Sequence, residues 1–278
     1  MQSIVGNEIL KTSFKWRSGI AFIAVAVIVP LVMIGVKLQG DAVVKGATRA
    51  LGQDFFLLGN ILNGYFVTAL IMNSLWVHIP FLITLGAGDQ LAGEATGGTY
   101  RILLIRPASR TRILFAKYLT TLLYASTVVL FLVAISVGLG IAMFGTGVML
   151  VQGKVLTVIP ESEAPWRLLL ACGLAAWGMW SVASLAFLLS SLVDNGIGPI
   201  IGTMAVIIVS YVISAIPVDL FRMIRPYLFT TYLNIWQKAM ERPIPWGDLL
   251  HSGLVLGAFS VGFLLITWYI FVRKDILS

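Results

Sequence analysis

The chain has one cysteine, two histidines and little charge, with Asp, Glu, Lys and Arg making up 11% of its 278 residues. A lone cysteine excludes an intramolecular disulfide. Because Cys172 lies inside an apolar run, it reads as a small packing residue and leaves the redox compartment open. His78 and His251 stand too far apart in sequence for an H-E-x-x-H zinc site. A phosphate-binding loop is missing as well. Gly153-Lys154 is the only Gly-Lys pair, with Val148 where the first glycine of the motif belongs and Val155 in place of Ser or Thr. The chain is therefore not expected to bind ATP itself, and no cofactor or metal is expected in it. No G-x-S-G element precedes a spaced histidine, which argues against an intramembrane serine protease. The cores of the long apolar runs contain no Asp, Glu, Lys or Arg, whereas ion-coupled transporters need titratable groups there despite the cost. An enzyme is not expected, and any energy source is expected in another chain.

What the sequence has in abundance is apolar surface: 59% of residues are hydrophobic and the mean hydropathy is +0.96. Soluble domains run near half. The apolar residues form runs of roughly twenty, the length of helix that crosses a hydrocarbon core of about 30 Å. They lack period-two alternation, which excludes an outer-membrane barrel. The expectation is an all-α integral membrane helical bundle, a single transmembrane domain over 1–278. Its six spans fall at about 19–36, 62–86, 118–140, 168–193, 197–216 and 249–272. The second belongs to an apolar stretch, Phe55 to Leu85, too long for one perpendicular crossing, so it must tilt, break or begin outside the bilayer. Asp194-Asn195-Gly196 is so short a link that spans four and five must be antiparallel neighbours. Phe144 to Pro165 reads as a loop. Pro217 to Asp248 is half apolar yet broken by Pro226, Pro243 and Pro245, which predicts short re-entrant or interfacial helices before span six.

The net charge of +7 sits at span ends and in loops, so anionic lipid headgroups explain it better than nucleic acid. Six spans put both termini on one side, with ten of the 19 Lys and Arg there and nine on the other. The denser clusters close to span ends favour cytoplasmic termini, in a prokaryotic cytoplasmic membrane. Residues Gln2 to Arg17 form an amphipathic segment with Val5, Ile9 and Trp16 on one face and Glu8, Lys11 and Lys15 on the other. That pattern predicts an N-terminal helix lying in the interface, or else a plain basic flank of span one. Asn60, Asn63, Ser74 and His78 fall within an arc of about 60° on a helical wheel. They read either as lining a path or as hydrogen-bonding within the bundle. Gly198 and Gly202 permit close helix approach, at a dimer contact or within one subunit.

The densest charge lies between spans two and three, from Gly88 to Lys117, with Asp89, Glu94, Arg101, Arg106, Arg110, Arg112 and Lys117 in one stretch. Asp89 to Ala95 suits a short helix with acidic groups toward its N-terminus, and Gly97-Gly98 suits its end. The pattern Glu94, Gly98-Thr99, Leu103-Leu104, Pro107, Arg110 and Lys117 resembles the membrane permease family of type-two ABC exporters. The ending Phe271-Val-Arg-Lys-Asp275 and the short link at Asp194 are similar to that family too. The resemblance implies that the stretch is a cytoplasmic coupling helix docking on a separate ABC ATPase subunit, which holds the ATP and Mg. It also implies a second permease, as homo- or heterodimer, around the transport path. On this reading Asp89, Glu94, Gly97, Gly98, Thr99 and Arg101 couple to the ATPase. Arg106, Arg110, Arg112 and Lys117 anchor the following segment to membrane lipids or the partner, and Glu94 pairs with Arg101 or a partner cation. Two alternatives remain at this point: a basic loop that only fixes topology, and a channel-like or structural membrane subunit without an ATPase.

Overall fold

The computed structural model describes residues 2–40, 42, 44, 46, 61–96, 109–152 and 156–273. Helix α1 (Gln2–Phe14) turns at Lys15 into α2 (Trp16–Leu38). A broken pair follows, α3 (Gly64–Leu75) and α4 (Ile79–Ala87), and then the short α5 (Asp89–Thr96). The long α6 (Arg110–Phe144) leads to a hairpin of β1 (Met149–Gln152) and β2 (Leu156–Ile159). Helices α7 (Ala164–Leu192), α8 (Gly198–Ala215) and α9 (Asp219–Ile224) precede a 3-10 segment, Phe229–Met240, and the final α10 (Trp246–Arg273).

Among the described residues five helices are long and apolar enough to cross a membrane, and six spans result when α3 and the stretch Ile79–Glu94, which takes in α4 and most of α5, count as one. Of the alternatives that its length left open, the second span takes the break: α3 and the stretch Ile79–Glu94 meet at 63°. Pro80 has no N–H to continue the helical ladder, so residues 76–78 form a turn closed by the His78 N–H on the Leu75 carbonyl at 2.8 Å. The other expected boundaries agree with the helices to within a few residues except at α6. That helix has 35 residues, about 52 Å at 1.5 Å each, and its first two turns carry Arg110, Arg112 and Lys117 below the apolar part.

Caps fix several ends. The Asn63 side chain accepts from the Tyr65 and Phe66 N–H groups at 3.1 Å to start α3, and Ser109 accepts from Arg112 to start α6. Gly145 ends α6 at a φ of 73°, a region open to glycine. Beside it α3 and α6 touch backbone to backbone, because a Cβ on Gly64 would lie 2.5 Å from the Gly140 carbonyl carbon.

The central helix is α7. Inside the protein 61% of its apolar window is buried, against 17–33% for the other four long helices. It packs on α4, α5, α6, α8, α10 and the 3-10 segment. Gly198 and Gly202 of α8 face Val193 and Leu189 of the same chain, so this pair serves packing within one subunit. The chain is nearly all-α, as expected; the difference is a small hairpin that occupies part of the predicted loop Phe144 to Pro165. Met149, Leu150 and Ile159 are buried in the main core, and that burial pays for two short strands that would not stand alone.

The 3-10 segment penetrates deeply. The Leu233 carbonyl lies 3.4 Å from where a Cβ of Gly178, the middle residue of α7, would be. Trp236 packs on Trp76 at the break between α3 and α4, their ring centroids 5.3 Å apart. Irregular backbone at such depth is tolerated only where protein or a water-filled cavity surrounds it, and Phe229, Leu233, Ile235 and Trp236 are all buried.

Candidate functional site at the α5 end of the bundle

Helix α5 leaves α4 after a single residue, Gly88, and its N-terminal N–H groups need partners. Ser190 of α7 supplies them. Its hydroxyl accepts from the Leu91 and Ala92 N–H groups at 3.0 and 2.9 Å and donates to the Gly88 carbonyl at 2.6 Å. Leu91 enters a small apolar cluster with Leu114, Tyr118, Phe187 and Phe271, which joins α5 to α6, α7 and α10.

Charge completes the attachment. Asp89 meets Arg17 at 2.7 Å and Lys15 at 2.9 Å. Glu94 is paired with Lys11 and, at 3.0 Å, with Lys117, whose ammonium also meets Glu8 at 2.6 Å. Lys117 and Glu94 are 1% and 2% exposed. Four cations thus surround three carboxylates, in two groups that share α5 as their centre. Gln90 adds a hydrogen bond to Thr12 at 3.1 Å. The far end of α5 is held through Thr96, which donates to the Asp194 carbonyl at 3.0 Å and accepts from the Gly196 N–H at 3.3 Å. Gly196 is closely enclosed: a Cβ there would lie 2.5 Å from the Arg17 guanidinium and 2.7 Å from the Asp89 carboxylate.

These contacts place the sequence-derived residues. Asp89 and Glu94 turn into the protein, Asp89 to Lys15 and Arg17 at the start of α2 and Glu94 to Lys11 of α1 and Lys117 of α6, so they are not the outward face of α5. Lys117, expected as an anchor to lipid or partner, is an internal ion-pair partner. Arg110 donates to the Val272 carbonyl at 3.3 Å, and Arg112 is exposed. Gly97, Gly98, Thr99, Arg101 and Arg106 lie outside the described residues, as does Asn60. The polar stripe is not continuous, because a wheel through residues 60–78 assumes one straight helix and the chain bends at 76–78. Asn63 is fully buried as the α3 cap, with its amide donating to the Val148 carbonyl at 2.7 Å. Ser74 and His78 are exposed near the break.

Helix α1 forms as expected, but with its polar side inward. Glu8 and Thr12 are buried, whereas Leu10 and Phe14 are 59% and 87% exposed. The pairing of Glu8 with Lys117 of α6 decides this, helped by that of the exposed Lys11 with Glu94 of α5, since burying the Glu8 carboxylate unpaired would be prohibitive. Sequence reading missed Ser190, Thr12 and Gln90 as parts of the site. The opposite charges of α1 and α5 were a signal for the pairing, but no spacing rule links residues some 80 positions apart. Among the described residues no three His, Cys, Asp or Glu side chains converge as a metal site. The arrangement is mechanical: a short helix locked to four long ones.

A bundle of long apolar helices with its charge gathered at the ends defines a helical integral membrane protein. The chain belongs to the family described as proteins of unknown function, DUF2705, whose sequence profile matches residues 48–277. It is also similar to the uncharacterized protein YhcI of Bacillus subtilis (strain 168), with 28% identity over 205 residues. That alignment takes in 70% of this chain and 64% of the relative, so the chain matches less than two thirds of the relative's length.

Proposed function

We propose that the protein is the membrane permease subunit of an ATP-driven exporter. It works as a dimer whose termini and α5 lie in the cytoplasm, and a separate ABC ATPase supplies ATP and Mg. The observation that supports this most is the attachment of α5. A helix that transmits force from a motor must be stiff against the spans it moves, and α5 is tied to α1, α6 and α7 by buried ion pairs and by Ser190. In this reading Asp89 and Glu94 form the clamp behind the helix. The docking face is what α5 and the adjoining link leave outward: Thr96 together with Leu192, Val193, Asn195 and Ile197. Ser74 and His78, exposed beside a mid-span break, face the path between two permeases, because polar groups there are costly against lipid.

The test is purification of the tagged full chain from its native membrane, followed by reconstitution in vesicles. A stoichiometric nucleotide-binding subunit should accompany it. Ile197→Arg should release that subunit, whereas Glu94→Gln should keep it but lower transport-stimulated ATP hydrolysis. A stable assembly without any nucleotide-binding subunit would refute the proposal and favour a channel-like or structural membrane subunit.

A further inference from the structure

Beside the α5 clamp, the first turn of α6 meets the last turns of α10 in a seam. The Trp268 indole N–H donates to the Thr111 hydroxyl at 3.3 Å, and Arg110 donates to the Val272 carbonyl at 3.3 Å. Arg112 follows Thr111 and Arg273 follows Val272, and both are exposed. The Arg273 guanidinium lies over the Tyr269 ring, 4.4 Å from its centroid, which occupies its face and leaves its N–H edge for an oxygen acceptor. Neither Arg112 nor Arg273 has an ion-pair partner among the described residues. The acids of this end are engaged elsewhere. Glu8, Asp89 and Glu94 are bound to Lys11, Lys15, Arg17 and Lys117, and Asp194 stands beside Thr96 at the far end of α5. In sequence, residues 97–108 add Arg101 and Arg106 and no acid, while Lys274 and Asp275 cancel. The chain thus leaves positive charge at the seam uncompensated. The aromatic rings of Trp268 and Tyr269 are exposed, and such rings sit at the level of lipid headgroups. Toward the apolar part of α6, Phe115, Leu119 and Leu123 recur on the same exposed side as Arg112.

We infer that this seam binds an anionic phospholipid. The head meets Arg112 and Arg273, and acyl chains lie along Phe115 and Leu119. A guanidinium binds a phosphate by charge-assisted hydrogen bonds, and the uncompensated charge selects for a head that is negative overall. Phosphatidylcholine carries a quaternary ammonium that the same arginines repel. The exposed Phe115, Trp268 and Tyr269 around the arginines favour a lipid over the acidic face of a soluble protein. The site belongs to this chain alone and does not rest on the permease reading, since binding requires no ATPase.

The experiment is native mass spectrometry of the full chain in dodecyl maltoside micelles, titrated with dioctanoyl phosphatidylglycerol. Saturable binding is expected, with dioctanoyl phosphatidylcholine at least tenfold weaker. Glycerol 3-phosphate, which has the charge without the chains, should also be at least tenfold weaker. The double replacement Arg112→Gln, Arg273→Gln should weaken phosphatidylglycerol tenfold or more. Arg222→Gln, which removes an exposed cation of α9 outside the seam, should leave it unchanged. Equal affinity for the two lipids would overturn the inference and leave the arginines to a protein partner. Glycerol 3-phosphate binding as tightly as phosphatidylglycerol, or equal weakening by the double replacement and Arg222→Gln, would overturn it too. The comparison of the two lipids on the unaltered protein decides the matter even where a variant fails to fold. An assembly that lacks a nucleotide-binding subunit, which refutes the permease reading, leaves this titration as it is.

Discussion

Replacing Lys117 by Met tests the clamp most directly. The side chain is 1% exposed, and its ammonium meets Glu8 at 2.6 Å and Glu94 at 3.0 Å. Without it Glu8 loses its only recorded ion-pair partner among the described residues, and Glu94 keeps Lys11, whose side chain is 42% exposed. Removing one member of a buried pair costs about 3–5 kcal/mol, because the remaining charge stays in a poor solvent. Lys11→Met removes a half-exposed partner and should cost about 1 kcal/mol or less. The triple replacement Glu8→Gln, Glu94→Gln, Lys117→Met removes the charges together and should recover most of the loss. The assay is reversible unfolding in mixed micelles, followed by tryptophan fluorescence. Equal losses for Lys117→Met and Lys11→Met, or a triple variant worse than Lys117→Met, would refute the assignment of a buried, mutually dependent cluster.

Three further outcomes are expected. Ser190→Ala leaves two N–H groups of α5 without their acceptor and should cost about 1–2 kcal/mol, read as faster hydrogen exchange at Leu91 and Ala92. Gly64→Ala places a methyl group 2.5 Å from the Gly140 backbone and should separate α3 from α6, lowering thermal stability by about 1–3 kcal/mol. Glu163 is held below the ordinary carboxylate range, first by its hydrogen bond from Arg242 and with help from the charges of Arg242 and Arg167. Its contribution is therefore present above the ordinary carboxylate value and lost as pH falls through the lowered one. Glu163→Gln should lower the melting temperature slightly at neutral pH and converge with the unaltered protein in acid, so that the limb of the melting profile below about pH 4.5 is flatter.

The spans were legible because hydrophobic length is a local property. A run such as Gly19 to Val36 has no alternative in lipid but a helix, whatever surrounds it. For the second span, length alone left a tilt, a break or a start outside the bilayer open, and the structure shows the break, next to Pro80. The hairpin at Met149 to Ile159 was not. Its strands are four residues each, and they persist because Met149 and Ile159 enter a core formed by distant helices. The segment before α10 was legible only as interrupted structure. Its depth depends on Gly178 of α7 leaving room for the Leu233 carbonyl.

For the candidate site the division is sharper. The sequence by itself determined that charge gathers between spans two and three, that Asp89 to Ala95 suits a short helix, and that the span cores carry no ionised side chain. Only the tertiary structure decided which way those charges point. Asp89, Glu94 and Lys117 read as outward because a charge in a loop ordinarily meets water, and an isolated charge gives no reason to turn inward. They turn inward because α1 and its turn into α2 bring Glu8, Lys11, Lys15 and Arg17 to the same end of the bundle. Paired and hydrogen-bonded charges can be buried where single ones cannot. That pairing joins residues 72 to 109 positions apart, a distance over which composition and periodicity carry no information.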